Sequence, residues 1–134
     1  MAFEGGCYCG AVRYHAEGEA VFKGQCHCRE CQYIAGGGPN LIMGVPDATF
    51  EYVKGTPKTF ERSDLDKPVK REFCELCGTH LVSRSPGVPL ALIKVGTLDD
   101  PAEFGAAQMA FYTVDQQSFH TLPEGCAHFE RLPG

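Results

Sequence analysis

Seven cysteines fall into three tight groups: Cys7-Tyr8-Cys9-Gly10, Cys26-His27-Cys28-Arg29-Glu30-Cys31 and Cys74-Glu75-Leu76-Cys77-Gly78. A thiolate is a soft anionic ligand, and sulfurs grouped at these spacings suit tetrahedral zinc better than a local disulfide. Residues i and i+2 of an extended segment point to one side, so Cys7 with Cys9, and Cys26 with Cys28, each predict two sulfurs aimed at one point. The Cys74 and Cys77 pair predicts a tight knuckle, with Gly78 free to take a positive φ that strains other residues. Seven ligands divide as four plus three. The knuckle needs a second pair to close a tetrahedron, which Cys7 and Cys9 can supply; Cys26, Cys28 and Cys31 then hold a second ion with one position open. A closed four-thiolate site is structural, whereas three protein ligands and an open position are the pattern of catalytic zinc. Spacing alone leaves other partitions open. His27 or His80 is available as a further ligand, although a histidine in a strand-rich chain is more commonly a packing or surface residue. Cys126 stands alone between Gly125 and Ala127 and reads as a small buried side chain.

The elements that must position these groups are short. Period-two or β-rich stretches run over 11–16, 21–26, 40–45, 59–62, 69–74, 80–84 and 90–95, which predicts about seven strands. Turn chemistry separates them, as at Gly36-Gly37-Gly38-Pro39, Lys54-Gly55-Thr56-Pro57 and Leu98-Asp99-Asp100-Pro101. Helix is expected only over 29–34 and 115–119. With no alternating βα pattern, the expectation is a mostly β, mainly antiparallel fold of short strands stapled by metal.

Length and composition agree with one domain over residues 1–134, since 134 residues is an ordinary single-domain size. Hydrophobic residues make up 43% and charged residues 22%, which is globular, while 16 Gly and 9 Pro break the chain too often for long helices. A core built from short strands at this size is marginal, so metal staples are a sensible supplement to burial. The N-terminus, Met1-Ala2-Phe3-Glu4-Gly5-Gly6, lacks the basic and apolar regions of a secretory leader, and no apolar run approaches the roughly 20 residues that span a bilayer. A cytoplasmic protein without a membrane partner is therefore expected, and in that reducing setting paired cysteines point to metal. The net charge of −5 counts against nucleic acid as a partner. Lys67, Lys70 and Arg71 form the densest basic stretch, but Asp64, Asp66 and Glu72 flank it, and it reads as a solvated face.

At the cysteine groups the sequence resembles the glutathione-dependent formaldehyde-activating enzyme family, which includes centromere-protein-V-like proteins and has an Mss4-like β fold. The resemblance rests on Gly6-Cys7-Tyr8-Cys9-Gly10-Ala11-Val12, on Cys26-His27-Cys28-Arg29-Glu30-Cys31, on Phe73-Cys74-Glu75-Leu76-Cys77-Gly78-Thr79-His80-Leu81, and on Gly96-Thr97-Leu98-Asp99-Asp100-Pro101. It implies a structural zinc on Cys7, Cys9, Cys74 and Cys77, and a second zinc, at the catalytic centre, on Cys26, Cys28 and Cys31. It further implies a carbon–sulfur lyase acting on a thiol–aldehyde adduct such as S-(hydroxymethyl)glutathione, with glutathione as the small-molecule thiol.

An open position beside three thiolates suits a thiol, because metal-bound thiols ionise readily. Three anionic sulfurs lower the effective charge of the ion, so positioning of thiol and aldehyde should matter more than polarisation. Arg29, inside the ligand cluster, is the candidate for a carboxylate of a peptide-like thiol, with Lys23 a weaker one. The Gly36-Gly37-Gly38 run offers close backbone approach to a ligand or is simply a surface loop. Two other readings compete with the enzyme: a zinc-stabilised binding module without turnover, and a redox or metal-handling protein using exposed thiolates.

Overall fold

The computed structural model describes residues 2–133; Met1, the first residue of the N-terminal stretch in which no leader is expected, and Gly134 lie outside them. Among the described residues are eleven short strands and one α-helix. The first sheet has the order β1-β2-β5, formed by Ala2–Gly6, Arg13–Glu17 and Phe50–Lys54. The second contains β3 (Phe22–Cys26), β4 (Asn40–Pro46), β6 (Lys58–Phe60), β7 (Lys70–Phe73), β8 (His80–Arg84), β9 (Leu90–Lys94), β10 (Met109–Phe111) and β11 (Ala127–His128). Their order across it is β11-β10-β3-β4-β9-β8-β7-β6. The helix α1 (Arg29–Ala35) follows β3 directly, and Gly36 ends it at φ 80°, a conformation that glycine takes without strain.

Alternation along the strands builds the core. In β2, Tyr14 and Ala16 are buried while Arg13 and His15 face outward, and in β9 Ala91 and Ile93 are buried in the same way. These residues join Phe3, Met43, Val45 and Val82 in one apolar cluster drawn from both sheets. The opposite face of the larger sheet carries a different set. Register places Arg71, Ser83, Leu92, Gly44 and Phe22 in one row across β7, β8, β9, β4 and β3. A second row joins Asn40, Cys26 and Phe111 across β4, β3 and β10. This second face is where the cysteine triplet lies.

The mostly β architecture is as the sequence predicts, and each of the seven expected strand segments holds a strand with ends shifted by no more than two residues. Four strands are additional. β1 carries Gly5-Gly6, which gives no β signal, and β5 keeps both faces partly exposed, so neither shows clean alternation. β10 and β11 are only three and two residues long, and β10 pairs parallel with both β3 and β11. The helix expected over 115–119 is instead a single 3-10 turn at Thr113–Asp115. No helix among the described residues is long and apolar enough to cross a membrane.

Gly5 fixes how β1 meets the segment after β9. A Cβ there would stand 2.2 Å from the Thr97 carbonyl oxygen and 2.3 Å from the Tyr14 hydroxyl, which itself bonds Thr97 Oγ1 at 2.8 Å. Gly5→Ala is therefore expected to destabilise the fold by about 1–3 kcal/mol through overpacking. Gly96→Ala, where an added Cβ meets nothing within 4 Å, is the control. Urea denaturation should shift the midpoint of the first variant well below that of the second; equal midpoints would mean that β1 moves aside freely.

Candidate metal centre

Four sulfurs converge where two turns meet. Cys7 and Cys9 occupy the β1–β2 turn, closed by Gly10 N–H donating to the Cys7 carbonyl at 3.1 Å and Cys7 N–H donating to the Val12 carbonyl at 3.0 Å. The pair thus converges through a turn, not through the extended segment that its spacing suggested. Cys74 and Cys77 form the expected knuckle after β7: Gly78 sits at φ 77°, and its N–H donates to the Cys74 carbonyl at 2.8 Å. The four Sγ atoms lie within 4.8 Å of one another, with Cys7 to Cys9 at 3.7 Å and Cys9 to Cys74 at 3.8 Å. A tetrahedron with Zn–S bonds of 2.3 Å has edges of about 3.8 Å. A disulfide would need about 2.05 Å, and all eight cysteines are free thiols. The sulfurs also receive polar contacts, from Val12 N–H to Cys7 at 3.2 Å and between Thr79 Oγ1 and Cys77 at 3.2 Å. The Thr79 contact, above other causes, pulls the Cys77 thiol down to about 5.

Three sulfurs form the second group. Cys26 ends β3, Cys28 is the N-cap of α1 and Cys31 lies in its first turn. Cys28 keeps an extended backbone (φ −60°, ψ 154°), and its sulfur accepts the Cys31 N–H at 3.2 Å, so helix capping and sulfur convergence are one arrangement. The three Sγ atoms lie within 4.8 Å of one another. Hydrogen bonds from Cys26, then Cys28, pull the Cys31 thiol down to about 2, while Cys26 is pushed up by its sulfur neighbours, first Cys28. Asn40 Nδ2 also donates to the Cys31 sulfur, at 3.6 Å. Both cysteine groups can hold a metal ion and are compatible with zinc.

Neither histidine joins a cysteine group. His27 is fully buried, and its ring nitrogens are taken by His120 Nδ1 and Gln25 Nε2, each at 3.0 Å. The opposite nitrogen of His120 bonds the Gly37 carbonyl at 2.7 Å, so the glycine run is engaged from within the protein. His80 packs against Phe73 with ring centroids 5.6 Å apart and the rings tilted by 33°. Cys126 is half-buried at the margin of the main core, less enclosed than the sequence suggested.

A cavity of about 880 Å³ opens beside the triplet, and Cys26, Cys28 and Cys31 all line it. Arg29 is exposed and absent from that lining; its guanidinium bonds Gln32 and lies over the Tyr33 ring at 5.1 Å. Lys23 is engaged with the Glu103 carbonyl at 3.1 Å. The cations behind the triplet are others. Arg71, only 4% exposed, donates to Ser83 Oγ at 3.0 Å and to Glu30 Oε1 at 2.7 Å, and Lys94 donates to the same Ser83 Oγ at 2.8 Å. Burial pulls the Lys94 ammonium down to about 8, opposed by the Cys31 charge. The reading of Lys67, Lys70 and Arg71 as a solvated face thus fails at Arg71, which strand alternation turns onto the cavity face. Asn40, Ser83 and Lys94 carried no sequence signal, because only strand register brings them to the cysteines.

The family model described as glutathione-dependent formaldehyde-activating enzyme matches residues 2–115. A Halomonas elongata protein named "Putative glutathione-dependent formaldehyde-activating enzyme" is 34% identical over 94 residues, which is 66% of this chain and 60% of that protein. The chain thus aligns with less than two thirds of that relative's length. A Rhodobacter sphaeroides protein of known crystal structure superposes with a TM-score of 0.61 at 20% identity, over 78% of this chain and 96% of the other, a likeness of fold.

Proposed function

This chain belongs to the glutathione-dependent formaldehyde-activating enzyme family, and from that premise we propose that it is a zinc-dependent carbon–sulfur lyase acting on a thiol–aldehyde adduct. The family description names glutathione and formaldehyde, whose adduct is S-(hydroxymethyl)glutathione. We assign Cys7, Cys9, Cys74 and Cys77 to a structural zinc, and Cys26, Cys28 and Cys31 to a second zinc in a single-domain, cytoplasmic protein. The observation that carries this reading is the convergence of three sulfurs, with no histidine joining them, at the wall of a cavity.

In the forward direction a thiol sulfur bonds the aldehyde carbon, and the thiol proton ends on the former carbonyl oxygen. The reverse step breaks that carbon–sulfur bond, with no net oxidation. Zinc held by the triplet would supply an open position at which a thiol ionises. The chain's own groups set the geometry around that position. Cys28 locks the start of α1, Asn40 steadies the Cys31 sulfur, and Lys94 offsets the accumulated thiolate charge. Cys26 and Cys31 are buried, and their shielding from water strengthens the electrostatic contacts they make.

Thiols add to formaldehyde unaided, so product formation alone proves nothing. The test is exchange spectroscopy on an equilibrated glutathione and formaldehyde mixture. Zinc-replete wild type is expected to speed interconversion in both directions by at least about tenfold over buffer without moving the equilibrium, a barrier change of about 1.4 kcal/mol. Folded Cys28→Ser should match buffer. If wild type matches buffer both with glutathione and with an alkyl thiol in its place, the lyase reading falls and a zinc-stabilised binding module replaces it.

A further inference from the structure

The cavity beside the triplet says what kind of body the adduct carries. Its volume, about 880 Å³, far exceeds what a one-carbon aldehyde fills and leaves room for the rest of the ligand. Phe22, Ile42, Leu92, Met109 and Phe111 form its floor on the sheet face. Glu30 and Arg71 are the only Asp, Glu, Lys or Arg side chains in the lining among the described residues, and they are already paired at 2.7 Å. Arg71 is further committed to Ser83 at 3.0 Å, and its Nε is a buried donor without a partner. The other polar side chains of the lining, Asn40, Ser83, Ser85 and Tyr112, are uncharged, so among the described residues it holds no free ion to pair with the two carboxylates and one ammonium of a γ-glutamyl tripeptide. Moving those charges onto apolar walls without partners is heavily unfavourable.

We propose that the cavity selects an adduct with an apolar, uncharged body, so that an alkyl or aryl thiol adduct is held in preference to the glutathione one. The inference rests on the thiol chemistry proposed for the same site and names its substrate class. The aldehyde-derived carbon lies at the cysteine end, and the apolar chain runs along the floor from Phe111 and Met109 towards Phe22 and Leu92. This direction follows the register, in which Phe22 lies four residues before Cys26 on β3, about 13 Å along the strand.

The test uses the zinc-replete protein and displacement of a fluorescent apolar probe by ethanethiol, butanethiol, hexanethiol, their methyl thioethers and glutathione. Each buried methylene should tighten binding about fourfold until the cavity is filled. The thioethers should keep that slope in Cys28→Ser, since they need walls and no ionisable sulfur. Met109→Lys should flatten the slope and improve glutathione relative to hexanethiol. A flat series in wild type, or glutathione displacing the probe more tightly than hexanethiol, overturns the inference. The two readings separate cleanly: a steep series without catalysed exchange removes the lyase and leaves the apolar selectivity, whereas catalysed glutathione exchange with a flat series removes only the selectivity.

Discussion

A Cys77→Ser variant is expected to be largely unfolded or insoluble, whereas Cys28→Ser folds and carries one zinc ion where wild type carries two. Both cysteines are only partly buried, so neither substitution opens a large hole in the core, and the contrast reads the metal sites themselves. The Cys77 group ties the β1–β2 turn to the knuckle after β7, and so links the two sheets. Structural zinc contributes on the order of 10 kcal/mol in small metal-dependent folds, comparable with the 5–15 kcal/mol net stability of a whole domain. The Cys28 group draws on β3 and the adjoining start of α1, which β4, β9 and β10 support without metal. Losing that ion therefore removes a site and spares the scaffold. Native mass spectrometry gives the ion count and thermal melts give the stability. Equal melting losses in the two variants, or a wild type holding one ion, would sink the division into a structural and a second zinc.

How much of this was legible in the sequence follows from the range over which each signal acts. Cys74-Glu75-Leu76-Cys77-Gly78 is a local motif, and its knuckle could be drawn from spacing and one glycine. Cys28 as a helix cap is nearly as local, although it was read as half of an extended pair and serves additionally as the cap. Cys7 and Cys9 converge through a turn, because Cys7 N–H reaches the Val12 carbonyl and closes the chain on itself. The cavity was not legible. Arg71, Ser83 and Lys94 come from three different strands, and each is ordinary in its own stretch of sequence. They form one cluster because register sets Arg71 opposite Ser83 in β7 and β8 at the cavity wall, and Lys94 of β9, behind that wall, donates to the same Ser83 hydroxyl. Arg29 is a site candidate in the sequence because it sits inside the cysteine group. A helical turn then carried its side chain out to Tyr33, while Glu30, one residue on, took the inward position beside Arg71.

The same strand that turns Arg71 towards the cavity turns Glu72 the other way, where it is only 4% exposed. That carboxylate accepts from the Tyr52 hydroxyl at 2.6 Å and from Arg84 Nε at 2.6 Å, with Lys70 Nζ farther off at 4.0 Å. Arg84 also pairs with Asp47 and lies over the Phe50 ring, so this network joins β5 of the smaller sheet to β7 and β8 of the larger. Arg84→Leu keeps most of the stem packing and deletes the charge, which leaves a buried carboxylate held mainly by one hydroxyl. Breaking a buried ion pair in this one-sided way costs about 3–5 kcal/mol, and the distant Lys70 together with partial exposure of Arg84 places the expected loss near the lower end. Neutralising the stranded partner should restore much of it: in Arg84→Leu with Glu72→Gln, the amide still accepts from Tyr52 and no buried unpaired charge remains, since Asp47, which also loses Arg84, is exposed. Urea denaturation of the single and double variants decides the matter. Recovery of at least half the loss identifies the buried charge as the cause, whereas equal loss in both would mean that Arg84 acts through its contacts with Phe50 and Asp47 and that Glu72 tolerates solitude.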